Sequence, residues 1–79
     1  MKMATRYKIS KEGYAVTLFY DDGSKGTIWF DNFLRAFGNY RKAFLEYLMY
    51  ITVASRNEEI ARQIRTKLTE LLLRTDEQT

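Results

Sequence analysis

The chain of 79 residues has no cysteine, no histidine and no proline. Without cysteine, neither a disulfide nor a thiolate metal site can reinforce the fold. Without histidine, the chain lacks the commonest general base and a common zinc ligand. We therefore expect a protein that is not an enzyme and that uses no cofactor, no metal and no small-molecule substrate.

Long apolar runs are also missing. The longest nearly uncharged stretch, residues 45–54, contains Glu46 and is far shorter than the ~20 residues that a membrane-spanning helix needs. The first ten residues carry charges and no apolar h-region, so they do not resemble a secretory signal. These features predict a cytosolic protein, of a cell or of an infected host, without a membrane partner.

Apolar residues are nevertheless abundant. Hydrophobic residues make up 46% of the sequence and aromatic residues 15%, which is too apolar for a disordered chain. We expect one domain, residues 1–79, with a frayed tail at about 75–79. A domain of this size buries only about 60–65% of its unfolded surface, so a dense core or a second copy of the chain must reinforce it.

Three short segments have the composition of β-strands. Residues 5–10 alternate polar and apolar side chains, and residues 14–20 and 27–30 are rich in β-branched and aromatic residues. The first connection is a tight turn in which Gly13 can take positive φ, and residues 21–26 form an equally short second connection. Strands joined this closely are antiparallel, so the pattern predicts a three-stranded meander.

The register of the second hairpin depends on its loop length. A loop of two or of four residues places Trp29 on the face of Val16 and Leu18 and leaves Ile28 and Phe19 on the other face. Only a loop of odd length exchanges these partners. With either even loop, both faces of the sheet are apolar, whereas helices of so short a chain usually cover only one.

A short helix and a longer one are predicted after the third strand. Asp31 is a suitable N-cap for a helix over residues 32–37. Gly38-Asn39 then resembles a C-terminal glycine followed by a new N-cap, which predicts a second helix over about 40–54. One continuous helix through Gly38, at a cost of about 1 kcal/mol relative to alanine, is the alternative.

The last helix has an ordinary amphipathic pattern. Ser55 and Glu58 fit a capping box, and the helix is predicted over residues 56–74. Together, these segments predict an α+β fold, in which a three-stranded antiparallel β-meander is followed by a short helix and two longer α-helices packed on the sheet. The predicted core stripe of the last helix is Ile60, Ile64, Leu68 and Leu71, widened by Ala61 and Leu72.

The helix over 40–54 is apolar on almost every side. Leu45, Met49 and Val53 lie opposite its core stripe, with Tyr50 between the two sides. A helix of this kind is buried on more than one side, and the sheet and one other helix are too little to cover it. The predicted core stripe is Tyr40, Phe44, Tyr47, Leu48 and Ile51.

The adjacent carboxylates Asp21 and Asp22 are best interpreted as part of a turn. A metal site would need further oxygen ligands at EF-hand spacing, but the next aspartate is Asp31 and no glutamate closes a twelve-residue loop. The following residues 23–26, GSKG, lack the spacing of a phosphate-binding P-loop.

The excess of apolar surface predicts a protein-binding function. Interface cores are enriched in aromatic residues and methionine, and a symmetric homodimer is the simplest way to cover such a surface. A different protein is the other possible partner. Compact cysteine-free chains of this size are frequent among phage and archaeal-virus accessory proteins, so a role as inhibitor or adaptor of host machinery is expected. The candidate partner-binding residues are Phe19, Ile28, Trp29, Phe30, Leu45, Met49 and Tyr50.

Nucleic-acid binding is the alternative function. The formal net charge is +3, and four basic residues with no acid precede Glu12. Dedicated nucleic-acid-binding domains usually carry a larger and more clustered excess, and cations on an edge strand also prevent aggregation. A helix-turn-helix is a poor fit because the helix over 40–54 is too apolar for a groove. The candidate nucleic-acid-binding residues are Arg6, Lys8, Lys11 and Lys25.

Overall fold

The computed structural model describes residues 2–73, and the predicted frayed tail lies outside them. The strands are β1 (Ala4–Ser10), β2 (Ala15–Tyr20) and β3 (Lys25–Trp29), and the helices are α1 (Phe30–Phe37), α2 (Tyr40–Ser55) and α3 (Glu58–Leu68). The strands form one antiparallel sheet in the order β1-β2-β3. The predicted α+β fold is therefore confirmed.

The second hairpin has a loop of odd length. The N–H of Tyr20 donates to the carbonyl of Ser24 (2.9 Å), and the N–H of Gly23 donates to the carbonyl of Tyr20 (3.1 Å). These bonds enclose three residues, Asp21-Asp22-Gly23, and Gly23 has a φ of 89°. A turn that ends in a left-handed glycine is a common three-residue hairpin loop.

This loop exchanges the predicted faces of the hairpin. Val16 pairs with Ile28, and Ala15 pairs with Trp29. The prediction that Trp29 shares a face with Val16 was therefore wrong. The physical reason is the extra left-handed residue, Gly23, because a shift of one residue moves every partner to the opposite face of the sheet.

The helices pack on one face of the sheet. Val16 and Leu18 of β2 are fully buried there, and the half-buried Ile28 packs beside them. Tyr47 of α2 is also fully buried, and its hydroxyl donates to the carbonyl of Gly13 (2.9 Å). Each such side chain contributes about 1.5–3 kcal/mol of burial. Further members of the core are Phe30, Phe44, Ile51, Ile60, Ile64 and Leu68.

Phe30 begins α1, two residues before the predicted start of the helix. Its ring is fully buried and lies 5.0 Å from the ring of Tyr47 and 5.2 Å from that of Tyr40. This burial fixes the direction of the chain as it leaves β3. Asp31 is not the N-cap but lies within the helix, where it forms an ion pair with Arg35 (3.1 Å).

The predicted break between α1 and α2 is confirmed. Gly38 follows α1 with a φ of 65°, as expected of a C-terminal glycine. Asn39 is the N-cap of α2, and its side-chain oxygen accepts from the N–H of Lys42 (2.9 Å). The alternative of one continuous helix is excluded.

The predicted cap of α3 was wrong. Ser55 is the buried last residue of α2, and Asn57 is the N-cap of α3. The side-chain oxygen of Asn57 accepts from the N–H of Glu59 (3.1 Å) and of Ile60 (3.4 Å). Its side-chain amide also donates to the carbonyl of Ala4 (2.8 Å), so the cap connects α3 to β1.

The last helix changes its winding after Leu68. Residues Thr69–Leu73 form a π-helical turn, which is wider than an α-helical turn. Leu72, predicted to widen the core stripe, faces the core and is 2% exposed, whereas the predicted stripe residue Leu71 is 40% exposed. Leu72 packs closely on Gly13. A Cβ atom added at Gly13 would lie only 3.1 Å from the Cγ of Leu72.

Among residues 2–73, no helix combines the length and the apolarity that crossing a membrane requires.

Candidate functional site

An apolar stripe runs along the outer side of α2. Leu45, Met49 and Val53 are 62%, 62% and 71% exposed, and Tyr50 beside them is 55% exposed. Since residues four apart are neighbours on a helix surface, the first three side chains form a line. These four residues are called the α2 stripe. The rest of the described chain leaves them largely uncovered.

The α2 stripe has neutralised charges at its border. Lys42 and Glu46 lie one turn apart on the same side of the helix and form an ion pair (3.1 Å). The hydroxyl of Thr52, on the other side of Leu45, donates to the carbonyl of Leu48 (2.8 Å). The stripe therefore presents apolar groups without an excess of either charge.

The predicted partner-binding residues do not form one surface. Phe30 is in the core and is not accessible, and Ile28 is half-buried on the core face. Phe19 and Trp29 lie on the other face of the sheet, opposite the helices. Only the three predicted residues on α2 lie together in the α2 stripe.

Tyr50 connects the stripe to the edge of β3. Its ring lies 5.8 Å from that of Phe33, and a shallow groove of about 250 Å³ separates α1 and α2 from β3. Of the predicted partner-binding residues, Ile28, Trp29 and Tyr50 thus line one groove, whereas Phe19, Leu45 and Met49 do not. Its lining residues are Thr27, Ile28, Trp29, Asn32, Phe33 and Tyr50.

The face of the sheet turned away from the helices has a different composition. Its residues form three cross-strand rows, and none of them is acidic. We call this surface the outer sheet face. The rows are Arg6, Phe19 and Lys25; Lys8, Thr17 and Thr27; and Ser10, Ala15 and Trp29.

Cations lie over the two aromatic rings of the outer sheet face. The guanidinium of Arg6 is 4.5 Å from the ring centroid of Phe19. The ammonium of Lys11, at the end of β1, is 5.9 Å from the ring centroid of Trp29, which is 41% exposed. Such contacts contribute only about 0.5–1 kcal/mol at exposed sites, so a ligand can displace them.

The predicted nucleic-acid-binding cations are not neutralised by carboxylates. Within residues 2–73, Arg6, Lys8, Lys11 and Lys25 have no carboxylate partner. Several helical cations, by contrast, are neutralised by a neighbouring carboxylate. The paired helical cations are Arg35, Lys42, Arg62 and Arg65.

Both aspartates of the hairpin have structural partners. The carboxylate of Asp22 accepts from the side-chain hydroxyl and the N–H of Ser24, and these bonds lower the pKa of Asp22 below its usual value. Asp21 accepts from the N–H of Met3 (3.2 Å). Residues 2–73 contain no cluster of acidic residues that could hold a metal ion. The interpretation of this segment as a turn agrees with these contacts.

The sequence did not predict that the cations and both aromatic residues, Phe19 and Trp29, share the outer sheet face. The prediction placed Phe19 and Trp29 on opposite faces because it favoured a loop of two or four residues over one of odd length. The position of Gly23, three residues after Tyr20, could have indicated the odd loop. It fits a three-residue loop that ends in a left-handed glycine.

Comparisons of the chain with protein-family models, with curated proteins and with solved structures give no match.

Proposed function

We propose that this chain is a non-catalytic protein-binding module that associates with a second copy of itself through the α2 stripe. The supporting observation is that four large apolar side chains lie together on one helix, each at least 55% exposed. Contiguous exposed apolar patches on soluble proteins mark interaction sites. Aromatic residues and methionine, both present in the stripe, are enriched in interface cores.

A second copy fits because the stripe is nearly symmetric about Met49. Leu45 and Val53 lie four residues before and four residues after it. Two antiparallel α2 helices with Met49 at the two-fold axis bring Leu45 of each copy against Val53 of the other, as an isologous interface requires. The neutral pair Lys42–Glu46 avoids strong repulsion near the axis.

The expected dimer is weak. Full burial of a Leu, Met or Val side chain contributes about 1.5–3 kcal/mol. Since more than half of each stripe residue is exposed, burying the stripes of both copies contributes about 7–15 kcal/mol. Association costs about 4–15 kcal/mol in lost freedom of motion. Because the gain and the cost are of similar size, we expect a Kd in the micromolar to millimolar range.

Met49→Glu tests this proposal. Sedimentation and light scattering of the parent chain should show a mass that rises from one chain toward two between about 10 µM and 1 mM protein. Met49→Glu places two carboxylates at the axis of the dimer, so the variant should keep the mass of one chain throughout. Its circular dichroism should match that of the parent, because Met49 is 62% exposed.

Thr66→Glu is the matched control, because it adds the same charge at an exposed position of α3. This variant should dimerise like the parent. A parent that keeps the mass of one chain at all concentrations would contradict the proposal, and so would equal weakening by Thr66→Glu. If Met49→Glu unfolds the chain, Met49 belongs to the intramolecular core. The cytosolic location and the virus-type accessory role stay predictions.

A further inference from the structure

We propose that the outer sheet face binds single-stranded nucleic acid. In this complex the cations contact phosphates, and the rings of the partly buried Phe19 and of Trp29, which is 41% exposed, stack on bases. This site shares no residue with the α2 stripe, although Trp29 and Tyr50 line the same groove. The phosphate-binding residues are Arg6, Lys8, Lys11 and Lys25, and the stacking residues are Phe19 and Trp29.

The charge distribution fits an extended polyanion. The cations of the outer sheet face come from both edge strands, and no carboxylate lies among its cross-strand rows. The nearest hairpin carboxylates, Asp21 and Asp22, are engaged by Met3 and Ser24. Because adjacent strands are about 4.8 Å apart and side chains of one face repeat about every 6.8 Å along a strand, the cations are spread across the sheet. A chain of phosphates can contact all of them, whereas one small anion cannot.

The aromatic rings favour a single strand over a duplex. Phe19 and Trp29 lie on neighbouring strands four register positions apart, so their backbone positions are about 14 Å apart. One base cannot reach both rings, but a flexible strand can place two separate bases on them. Bases of a duplex are stacked inside the helix and are not free to do so. Thr17 and Thr27, whose hydroxyls are 3.0 Å apart, lie between the rings and offer hydrogen-bonding groups.

Edge protection explains only part of this surface. Lysine and arginine on β1 and β3 do discourage edge-to-edge pairing of strands. However, this role needs neither two aromatic rings on the same face nor an absence of carboxylates. A face designed only for solvent would more often mix charges of both signs. Base stacking and phosphate binding account for both properties together.

The probes are fluorescein-labelled oligothymidylate and oligouridylate of about 20 nucleotides, a length that exceeds typical single-domain site sizes. Binding is followed by anisotropy of the label and by fluorescence of Trp29, the only tryptophan of the chain. Stacking of a base on Trp29 should quench its emission. If four cations each neutralise one phosphate, a plot of log K against log[salt] should have a slope of about −3.

Variants separate charge from stacking. Lys8→Gln and Lys25→Gln should each weaken binding and make the slope about 0.7 less negative. Trp29→Leu should weaken binding by roughly 5- to 100-fold and leave the slope unchanged. Arg62→Gln is the matched control, because it removes a positive charge from α3, away from both surfaces; it should bind like the parent.

Several results would overturn the proposal. These are no binding at about 50 mM salt, equal or tighter binding of a duplex, or equal binding of the base-free polyanion dextran sulfate without an effect of Trp29→Leu. Equal losses in Arg62→Gln and Lys8→Gln would likewise count against this face. Should Trp29→Leu not fold, Phe19→Leu tests stacking at the other ring. The dimer is tested separately, because Met49→Glu lies outside the outer sheet face.

Discussion

At the scale of single residues, Tyr47 combines burial with a hydrogen bond that holds the turn between β1 and β2. Its hydroxyl donates to the carbonyl of Gly13 (2.9 Å), in a chain segment where Lys11, Glu12 and Gly13 all have positive φ. Non-glycine residues in this conformation cost energy, so contacts from outside the turn must hold it in place. We expect Tyr47→Phe to lower the free energy of unfolding by about 1–3 kcal/mol, because a buried carbonyl loses its donor. Urea denaturation at neutral pH measures this loss.

The same residue predicts a dependence on alkaline pH. Burial raises the pKa of Tyr47 above its ordinary value of 10.0, so the unfolded chain releases this proton first as the pH rises. The stability from neutral Tyr47 is therefore complete below about pH 10 and falls above it, by at most about 1.4 kcal/mol per pH unit. Burial also raises the pKa of Tyr20, so some alkaline loss remains in Tyr47→Phe. The difference between parent and variant should stay constant up to about pH 9 and should shrink above about pH 10. A constant difference would contradict this assignment.

At the scale of elements, two asparagines allow a matched test of how α3 is held on the sheet. Asn39 and Asn57 both cap a helix, but only Asn57 also donates a long-range hydrogen bond, to the carbonyl of Ala4 (2.8 Å). Asn39→Ala should cost about 1 kcal/mol for the lost cap. Asn57→Ala should cost about 2 kcal/mol, since the bond to β1 is lost as well. Chemical denaturation of both variants measures the difference, and equal costs would show that the bond to Ala4 contributes nothing.

Elements could be predicted where their signals are local. The period of the apolar residues identified three strands and three helices, and Gly38-Asn39 marked the break between α1 and α2 correctly. The register of β3 could not be obtained in this way, because it depends on the backbone of one residue, Gly23. The π-helical turn after Leu68 was missed as well, because no local pattern indicates that Leu72 lies beside Gly13.

At the scale of the whole molecule, the candidate site was predicted better on α2 than on the sheet. The α2 stripe followed from counting apolar sides of one helix, which needs no tertiary information. The outer sheet face depends on how three strands are aligned, so a wrong loop length placed Phe19 and Trp29 on opposite faces. Phe30 was wrongly included in the predicted surface for a separate reason. Phe30 is in fact buried at the start of α1, because a helix and not a strand begins there.

The two proposed surfaces should respond to salt and to protein concentration in opposite ways. Dimerisation through the α2 stripe buries apolar groups, so salt should leave it unchanged or strengthen it. It also stabilises the folded state by mass action: raising the protein concentration a hundredfold to about 1 mM should add about 1 kcal/mol, which corresponds to a rise in Tm of about 4–8 °C. Calorimetry should show this rise in Tm for the parent and for Thr66→Glu, and no rise for Met49→Glu. In the oligonucleotide titration, by contrast, binding by the outer sheet face should weaken with salt and should be unchanged in Met49→Glu. If the Tm of the parent does not depend on protein concentration, the proposed dimer through the α2 stripe is contradicted.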